Sequence, residues 1–558
     1  MNIYGTVRKR VESSLTHVRA GGSVGSILPA ALLGLIAFGA MPAFGATCES
    51  LSGLKLRDTT ITLAQSVAAG AFTPPTGTMT APGLSRFKDA PAFCRVAAEV
   101  KPTKDSDIKI EVWMPLAGWN GKYQGQGNGG FAGSISYVGM ADAVSRGYAT
   151  AGTNTGHTGN ATDASWAIGH PEKVIDFGYR GIHEMTQKAK AIIRAFYGDS
   201  PRRSYFASCS DGGREALMEA QRFPEDYDGI IAGAPANFWT HLLVGGIWNV
   251  RATLEDPASY IPASKIPAIS AAVLAACDAL DGVTDGILNN PRECRFDPHT
   301  LLCNGDDSND CLTAPQVAAL SKIYAGPRNS KGEQIFPGYV PGGEQGPQGW
   351  AGWITGQAPG KSLQFAFSTH FFANMVFNNL SWDYRTFNFD TDVKLADDKQ
   401  AHALNATDPN LRLFKARGGK LIMYHGWNDA AIPPVNTIDY YNSVVATVGS
   451  HGTEAFLRLF MVPGMQHCAG GPGPNSFGQL GGSTPAGPEH NIFSALEQWV
   501  EKGIAPERIT ATKYVNDPNP AEGIKMTRPL CPYPQIAKYK GTGDTNDAAN
   551  FACSPGKL

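Results

Sequence analysis

SYFASCSDGGREALMEAQRFP, residues 204–224, joins an apolar strand, a serine, two glycines and an amphipathic helix. Ser210 lies where the strand pattern ends, and Gly212 and Gly213 let the following helix pack close to the strand. This order is typical of a nucleophile elbow, whose serine must stand on a strained turn. Ser208 replaces the usual first glycine of the motif, but its side chain is still small. The alternative is an ordinary strand-to-helix corner with a capping serine.

The order of strand followed by helix recurs along the chain. Residues 107–115 alternate apolar and charged side chains, which predicts a half-buried strand. Residues 171–198 carry apolar side chains at helical spacing and end at Gly198, which predicts a helix with a glycine stop. Strand patterns return at residues 420–426 and 457–464, each followed by a loop. We therefore predict an α/β fold, with an α/β-hydrolase core sheet and helices on both of its faces.

Residues 237–415 differ in composition, with long loops rich in glycine and proline and many aromatic side chains. Because strand patterns resume at Lys420, we predict a large inserted lid domain over the loop end of the sheet. Its aromatic candidates for substrate contact are Trp350, Trp353, Phe365, Phe371, Phe372, Phe377 and Trp382. The predicted order is a signal peptide at 1–46, a first catalytic part at 47–236, the lid domain at 237–415 and a second catalytic part at 416–558.

The partners of Ser210 must lie downstream, because the chain order in this type of fold is nucleophile, acid, histidine. His467 follows a strand and the turn VPGM, and Asp429 follows the strand KLIMYHG. We predict that His467 is the general base and that Asp429 fixes its tautomer and stabilises the imidazolium. A surface-loop histidine and a turn-forming aspartate are the alternatives. His425 stands at a strand end before the acid, and we predict a structural role for it.

The ten cysteines give a second line of evidence. Cys209 immediately precedes Ser210, and Cys468 immediately follows His467. If the serine and histidine lie within hydrogen-bond reach, these cysteines can meet the Cα separation of about 4.4 to 6.8 Å that a disulfide needs. An even count without a C-x-x-C motif predicts five disulfides rather than catalytic thiols or a metal cluster. Ten cysteines allow about 945 pairings, so their number alone does not choose one.

Acyl transfer also needs hydrogen-bond donors for the developing oxyanion. The main-chain N–H of Asp211, the residue after the serine, is one candidate. GQGNGGFAG, residues 125–133, follows a strand and is flexible enough to bring a second N–H close, that of Gly130 or its neighbour Gly129. No GKS or GKT follows this glycine-rich loop, which argues against a phosphate-binding loop.

CDALDGVTDGILNNPREC, residues 277–294, concentrates oxygen ligands of the kind that Ca²⁺ prefers. The predicted ligands are the carboxylates of Asp278, Asp281 and Asp285 and the carbonyls of Val283 and Ile287. The stretch is not an EF-hand, because it lacks that spacing and the terminal glutamate. A solvated acidic turn is the alternative.

Composition and the N-terminal segment bear on location. The 558 residues carry 47 basic and 49 acidic side chains, so no electrostatic footprint for nucleic acid is present. A basic stretch, an apolar run at 27–40 and small residues at 43, 45 and 46 have the order of a secretory signal, with a signal anchor as the alternative. The apolar run is shorter than the roughly 20 residues that span a bilayer. We expect a periplasmic or secreted protein without stable membrane association after signal removal.

CSDGGRE, HGWNDAAIPP and VPGMQHC, together with the Cys209-Ser210 and His467-Cys468 pairs, resemble the tannase and feruloyl esterase family. The resemblance covers nearly all of the mature chain. It implies a disulfide between the two cysteines beside serine and histidine, and a structural Ca²⁺ in the lid at DALDGVTDGIL, with no organic cofactor. It also implies four further disulfides: Cys48 to Cys94, Cys277 to Cys294, Cys303 to Cys311 and Cys531 to Cys553.

The expected function is an exported serine hydrolase that cleaves esters of small aromatic acids, such as hydroxycinnamic, gallic or hydroxybenzoic acid, through an acyl-enzyme. A terephthalate monoester would need a cation for its free carboxylate, preferably a bidentate arginine. Arg385 is the only arginine in or near residues 350–382, and nothing in the sequence places it at the pocket. Terephthalate monoester hydrolysis is therefore the weaker alternative. An acyltransferase with the same triad and a binding module that has lost catalysis are further alternatives.

Overall fold

A nine-stranded mixed sheet carries the fold. The structure is a computed structural model that describes residues 46–75, 81–481 and 484–556; the predicted signal segment, residues 1–46, lies outside them apart from Ala46. The strands of the sheet are β1 (Thr59–Val67), β2 (Phe93–Val100), β3 (Ile108–Pro115), β4 (Lys122–Gln126), β5 (Ala149–Thr153), β6 (Arg203–Cys209), β7 (Gly229–Gly233), β8 (Lys420–Gly426) and β9 (Leu457–Val462).

The strands follow the order β1-β2-β3-β5-β4-β6-β7-β8-β9. β1, β2, β3 and β5 pair antiparallel, whereas β5, β4, β6, β7, β8 and β9 run parallel. The parallel strands therefore all end at one edge of the sheet. The register there pairs Cys209 with Gly233, Gly233 with Tyr424, and Gly426 with Val462.

Helices and two hairpins complete the fold. The helices are α1 (Ala81–Lys88), α2 (Tyr137–Ser145), α3 (Pro171–Ile175), α4 (Gly181–Tyr197), α5 (Asp211–Arg222), α6 (Trp239–Leu254), α7 (Ile266–Cys277), α8 (Ala314–Ala325), α9 (Trp350–Trp353), α10 (Leu363–His370), α11 (Asp392–Ala396), α12 (His402–Leu404), α13 (Arg412–Ala416), α14 (Pro434–Val448), α15 (Ser450–Glu454) and α16 (Ile492–Lys502). β10 (Ile509–Asn516) pairs with β11 (Asn519–Leu530), and β12 (Gln535–Tyr539) pairs with β13 (Phe551–Pro555).

The predicted helix at 171–198 exists, but a wider helical turn, Asp176–Arg180, separates α3 from α4. α4 buries Ile182, Met185, Ala189 and Ile192 and ends at Gly198 in the left-handed conformation, as the pattern predicted. The buried face of α4 therefore follows the 3.6-residue period of its apolar side chains.

The prediction that β3 is half-buried is wrong. Only Lys109 of this strand is exposed, although Glu111 also points away from the apolar residues of the pattern. Glu111 is buried because it forms a 2.6 Å ion pair with Arg95 and accepts a hydrogen bond from the indole of Trp113 at 2.9 Å. Because Arg95 and Trp113 satisfy the Glu111 carboxylate, this charged side chain can be buried at a position that the alternating pattern predicted to be exposed to solvent.

The segment between β7 and β8 contains helices α6 to α13, and within it the structure shows no strand. Its core consists largely of aromatic and branched side chains, including Phe371, Phe372, Val376 and Phe387. The described residues form one unit, so the boundaries of a separate lid domain at 237 and 415 remain a prediction. Pro257–Asp281 is long and apolar enough to cross a membrane by composition. However, α7 within it has only 12 residues, fewer than the roughly 20 that span a bilayer.

Five disulfides are present, and they are the five that the family resemblance implies. They join Cys48 to Cys94, Cys209 to Cys468, Cys277 to Cys294, Cys303 to Cys311 and Cys531 to Cys553. Three of them join cysteines that are close in sequence, with separations of 17, 8 and 22 residues. Cys209 to Cys468 differs, because its partners are 259 residues apart and join the end of β6 to the loop after β9.

Candidate active site

Ser210, Asp429 and His467 follow three parallel strands, β6, β8 and β9. Because the carboxyl ends of parallel strands meet at one edge of a sheet, the chain brings the three loops together there. The loops after β8 and β9 are also bonded to each other. The N–H of Asn428 donates to the carbonyl of Met465 at 2.9 Å. Gly426 is required at this crossing, since a Cβ atom there would lie 2.2 Å from the same carbonyl oxygen.

Ser210 stands on a strained turn, with φ of 67° and ψ of −124°. A non-glycine residue in this region is uncommon and is held only by surrounding structure. The Ser210 N–H donates to the carbonyl of Gly233 at 2.9 Å, and its carbonyl accepts from Ala236 at 3.1 Å. Ser208 fits in place of the usual glycine because Gly212 faces it, where a Cβ atom would lie 1.9 Å from the Ser208 hydroxyl.

The three side chains form one hydrogen-bonded chain. His467 Nδ1 lies 2.8 Å from Asp429 Oδ2, and His467 Nε2 lies 2.9 Å from Ser210 Oγ. A carboxylate only accepts, so Nδ1 carries the proton and Nε2 is free to accept the serine hydroxyl proton. The adjacent disulfide holds the Cα atoms of Cys209 and Cys468 6.0 Å apart. The geometry is that of a serine nucleophile, a base and an acid that orients the base.

Asp429 is fully buried and accepts four hydrogen bonds. Its Oδ1 accepts the N–H groups of Ala431 at 2.8 Å and Ile432 at 2.9 Å, and its Oδ2 faces His467 and His425. Burial alone would raise the pKa of Asp429. The charge of His467 and hydrogen bonds from His425 and His467 outweigh burial, and they hold this pKa well below its usual range. The carboxylate therefore stays ionised beside the base.

Asp211 and Gly130, the predicted oxyanion donors, line the same cavity as Ser210; Gly129 is not among its lining residues. In the described part of the chain, no hydrogen bond within the protein takes the main-chain N–H of Asp211 or Gly130. Among the residues that the structure describes, the fold therefore leaves both N–H groups without a partner, as the predicted role of oxyanion donor requires.

Glu215, which the sequence did not single out, ties the glycine-rich loop to the elbow. Its Oε2 accepts the N–H of Asn128 at 2.9 Å, and the carbonyl of Asn128 accepts the N–H of Gly212 at 3.0 Å. Burial, aided by the nearby charge of Asp211, raises the pKa of Glu215 to about 8. An acidic side chain on the buried face of α5 is the signal that could have identified it.

A small cavity of about 80 Å³ opens beside Ser210. Its walls are Gly130, Ser210, Asp211, Ala236, Trp239, Leu242, Leu243, Gly246, Trp353, Gln364, Phe367, Ser368, Ala431 and Ile432. α6 and α10 of the insertion supply half of this wall. None of these lining residues is a lysine or an arginine. The cavity is therefore largely apolar, with a few polar groups, as small-molecule sites commonly are.

Most of the aromatic candidates from the insertion lie elsewhere. Of the seven, only Trp353 lines the cavity, where its ring meets the imidazole of His467 edge-on at 5.2 Å. Phe372, Phe377 and Trp382 pack on one another instead. Trp239 and Phe367 also line the cavity, although nothing in the sequence singled them out. The density of aromatic residues indicated a pocket, but most of these side chains form a hydrophobic core instead.

Arg385 does not line the cavity. Its side chain is 59% exposed, and it pairs with Asp383 at 3.2 Å. The structure thus places Arg385 outside the cavity, a position that the sequence did not decide.

The predicted calcium loop lies at the end of α7. Both Asp278 oxygens accept the N–H of Gly286, at 3.1 and 3.0 Å, and Asp285 pairs with Arg528. Burial raises the pKa of Asp281 to about 6, with a further contribution from the charge of Asp285. Asp278 and Asp285 therefore lie close enough for their charges to raise the pKa of Asp281 in this partly buried loop.

Known proteins resemble the chain over most of its length. The family model described as "Tannase and feruloyl esterase" matches residues 94–554. An uncharacterized esterase of Xanthomonas campestris is 46% identical over 533 residues, which cover 91% of each chain. The mono(2-hydroxyethyl) terephthalate hydrolase of Piscinibacter sakaiensis is 36% identical, covering 85% of this chain and 87% of the relative.

The crystal structure of feruloyl esterase B from Aspergillus oryzae is 30% identical, with a TM-score of 0.82 over 92% of this chain and 100% of that one. The nine-stranded sheet and its helices thus have an α/β-hydrolase fold. The chain belongs to the tannase and feruloyl esterase family and is a carboxylic ester hydrolase.

Proposed function

We propose that the enzyme is a serine esterase that works through an acyl-enzyme on Ser210. The observation that carries the proposal is the hydrogen-bonded chain from Ser210 through His467 to Asp429. His467 Nε2 takes the hydroxyl proton as Ser210 Oγ attacks the ester carbonyl carbon. The N–H groups of Asp211 and Gly130 donate to the resulting oxyanion.

The tetrahedral intermediate then collapses. The ester C–O bond breaks, and the departing alcohol takes the proton from His467 Nε2. A water molecule, deprotonated by the same nitrogen, then attacks the acyl carbon. The bond between that carbon and Ser210 Oγ breaks, and Oγ takes the proton back from His467 Nε2, which releases the acid and the free serine. Because its pKa is held low, Asp429 stays ionised throughout, and its negative charge stabilises the imidazolium of His467.

We infer that the acyl group is a small aromatic acid without a second charge. Trp239, Trp353 and Phe367 give the cavity flat apolar walls on which a ring can stack. A terephthalate monoester would place a free carboxylate in this cavity, and no lining residue carries a positive charge to meet it. The relative named a feruloyl esterase supports an aromatic acyl group without a second charge, whereas the relative named a terephthalate hydrolase supports the alternative.

A panel of esters tests the substrate proposal. We would measure kcat/KM for methyl ferulate, methyl gallate, a paraben, mono(2-hydroxyethyl) terephthalate and a long-chain p-nitrophenyl ester. One of the first three is expected to be the best substrate. The proposal fails if the terephthalate monoester or the long-chain ester has the highest kcat/KM.

We also propose that the enzyme is exported and acts outside the cytoplasm. Five disulfides support this, because such bonds persist in oxidising compartments. The signal-like order of residues at the N-terminus points the same way. N-terminal sequencing of the protein recovered from periplasm and medium tests it. An uncleaved chain in the cytoplasm would contradict the proposal.

We infer that the loop after α7 holds a structural Ca²⁺. The carboxylates of Asp278, Asp281 and Asp285 are hard oxygen ligands within eight residues, and the carbonyls of Val283 and Ile287 would complete the set. The raised pKa of Asp281 reflects burial beside another carboxylate, an arrangement that a cation would relieve. When bound, the ion would stabilise the folded loop and take no part in the chemistry.

A further inference from the structure

We propose that His425 is a positioning residue that holds the carboxylate of Asp429 toward His467 by a second hydrogen bond. The proposal rests on the proposed triad, since it assigns Asp429 the task of orienting the base. His425 is completely buried at the end of β8 and does not line the cavity, so it cannot touch substrate. Its Nε2 lies 3.1 Å from Asp429 Oδ2, the same oxygen that faces His467.

The surroundings of His425 assign its tautomer. Nε2 also lies 3.2 Å from the carbonyl oxygen of Ile432, which can only accept. Nε2 faces two acceptors and therefore carries a proton. Nδ1 lies 2.7 Å from the hydroxyl of Thr437 on α14. A hydroxyl can donate as well as accept, so Thr437 can give Nδ1 a hydrogen bond while the Nε2 proton is shared between Asp429 Oδ2 and the carbonyl of Ile432.

The four donors around Asp429 divide into two pairs. The N–H groups of Ala431 and Ile432 hold Oδ1, while His425 and His467 share Oδ2. The bonds to Oδ1 leave Oδ2 free to turn slightly about the carboxylate axis. His425 removes that freedom, because it approaches Oδ2 from the strand while His467 approaches from the loop after β9. A chain from Thr437 through His425 and Asp429 to His467 thus fixes the direction of the base.

Loss of the His425 donor should have two consequences. Asp429 becomes less well oriented, and displacements of up to 1 Å near reacting groups cost up to about 10²-fold in rate. The negative charge on Oδ2 is also shared with one donor fewer, so it stabilises the imidazolium of His467 more strongly. The acid limb of the pH dependence of kcat/KM should therefore move to higher pH.

Four variants test the proposal with a neutral aromatic ester. His425→Leu keeps a similar side-chain volume but lacks the N–H donor. His425→Gln restores an N–H near the position of Nε2. Thr437→Val removes the hydroxyl at nearly constant shape, whereas Thr437→Ser keeps it. We expect about tenfold or larger losses of kcat with little change of KM in His425→Leu and Thr437→Val. The Gln and Ser variants should recover most of the activity.

The outcomes separate this proposal from the proposed function. Rescue by Gln and Ser, with a shifted acid limb in the Leu variant, supports the positioning role. Near-normal kcat in His425→Leu or in Thr437→Val overturns it. Equal losses in the Leu and Gln variants with an unshifted limb also overturn it, because they indicate only packing. Ser210→Ala in the same assay tests the triad itself, since its failure to lower activity would refute the proposed function independently of His425.

Discussion

The sheet edge and the helical insertion build the two halves of the active site in different ways. At the edge, Ser210, Asp429 and His467 follow parallel strands, and tight turns fix each side chain. The cavity wall comes instead from α6 and α10, which lie 100 residues or more apart and meet through packing of apolar side chains. The chemistry therefore depends on local turns, while the shape of the acyl site depends on how distant helices pack.

This difference predicts that the largest losses of activity arise at the sheet edge. Ser210→Ala should lower kcat by about 10⁴- to 10⁶-fold without changing the melting temperature, because the nucleophile is lost and the fold is kept. Ser208→Ala is the matched control, since Ser208 lies on β6 two residues before Ser210 and, among the described residues, no hydrogen bond joins it to His467. We expect its kcat to stay within a few fold of wild type. Comparable losses in both variants would point to a damaged turn instead of a missing nucleophile.

The second prediction concerns the disulfide that spans the sheet edge. Replacing Cys209 and Cys468 together with serine should lower kcat by about 10²-fold, because the bond holds the chain segments of nucleophile and base in register. The matched control is the pair Cys303 and Cys311 in the insertion, whose double serine variant should keep normal kcat. Both variants are assayed well below their melting temperatures. Equal kcat in the two would show that the long-range bond serves stability alone.

Changes in the insertion should alter selectivity more than catalysis. Phe367→Ala opens the cavity wall, and we expect it to lower kcat/KM for methyl ferulate about tenfold while kcat/KM for a p-nitrophenyl acetate changes little. Trp382→Ala is the control, because Trp382 stacks on Phe377 at 5.1 Å and does not line the cavity. It should lower stability and leave the ratio of the two rates unchanged. If the ratio of kcat/KM for methyl ferulate to kcat/KM for p-nitrophenyl acetate were the same in both variants, Phe367 would not form part of the acyl-binding wall.

The smallest effect on activity is expected from calcium. A chelator should lower the melting temperature by roughly 5 °C, because an ion that binds only the folded state stabilises it by mass action. Initial rates at 25 °C should not fall at once. Ile287 lies against Gly464, three residues before His467, so slow loss of activity on prolonged incubation is compatible with this site. A melting temperature that responds to neither chelator nor added Ca²⁺ would leave the loop as a solvated acidic turn.

The same contrast explains what the sequence could predict. The elbow, the strands and the chain order of acid and histidine are short-range patterns, so Ser210, Asp429 and His467 could be selected without a structure, and the disulfide pairings followed from the family resemblance. Cavity walls could not be selected, because Trp239 and Phe367 reach the same cavity only through the packing of α6 against α10. The burial of Glu111 could not be predicted from the sequence either, since its partner Arg95 lies on a neighbouring strand.

His425 shows a further limit. The sequence placed it correctly at a strand end and suggested a structural role, but its contact with Asp429 depends on the turn that folds residues 427–433 back onto the strand. Spacing of four residues between histidine and aspartate does not by itself indicate that turn.

The proposed mechanism depends above all on Ser210 carrying the acyl group during turnover. Its most direct test is to quench the reaction with methyl ferulate in acid during the steady state and to locate the acyl group by peptide mass spectrometry. We expect a feruloyl adduct on the peptide containing Ser210, and no adduct in Ser210→Ala. An adduct on another residue, or normal turnover by the alanine variant, would contradict it.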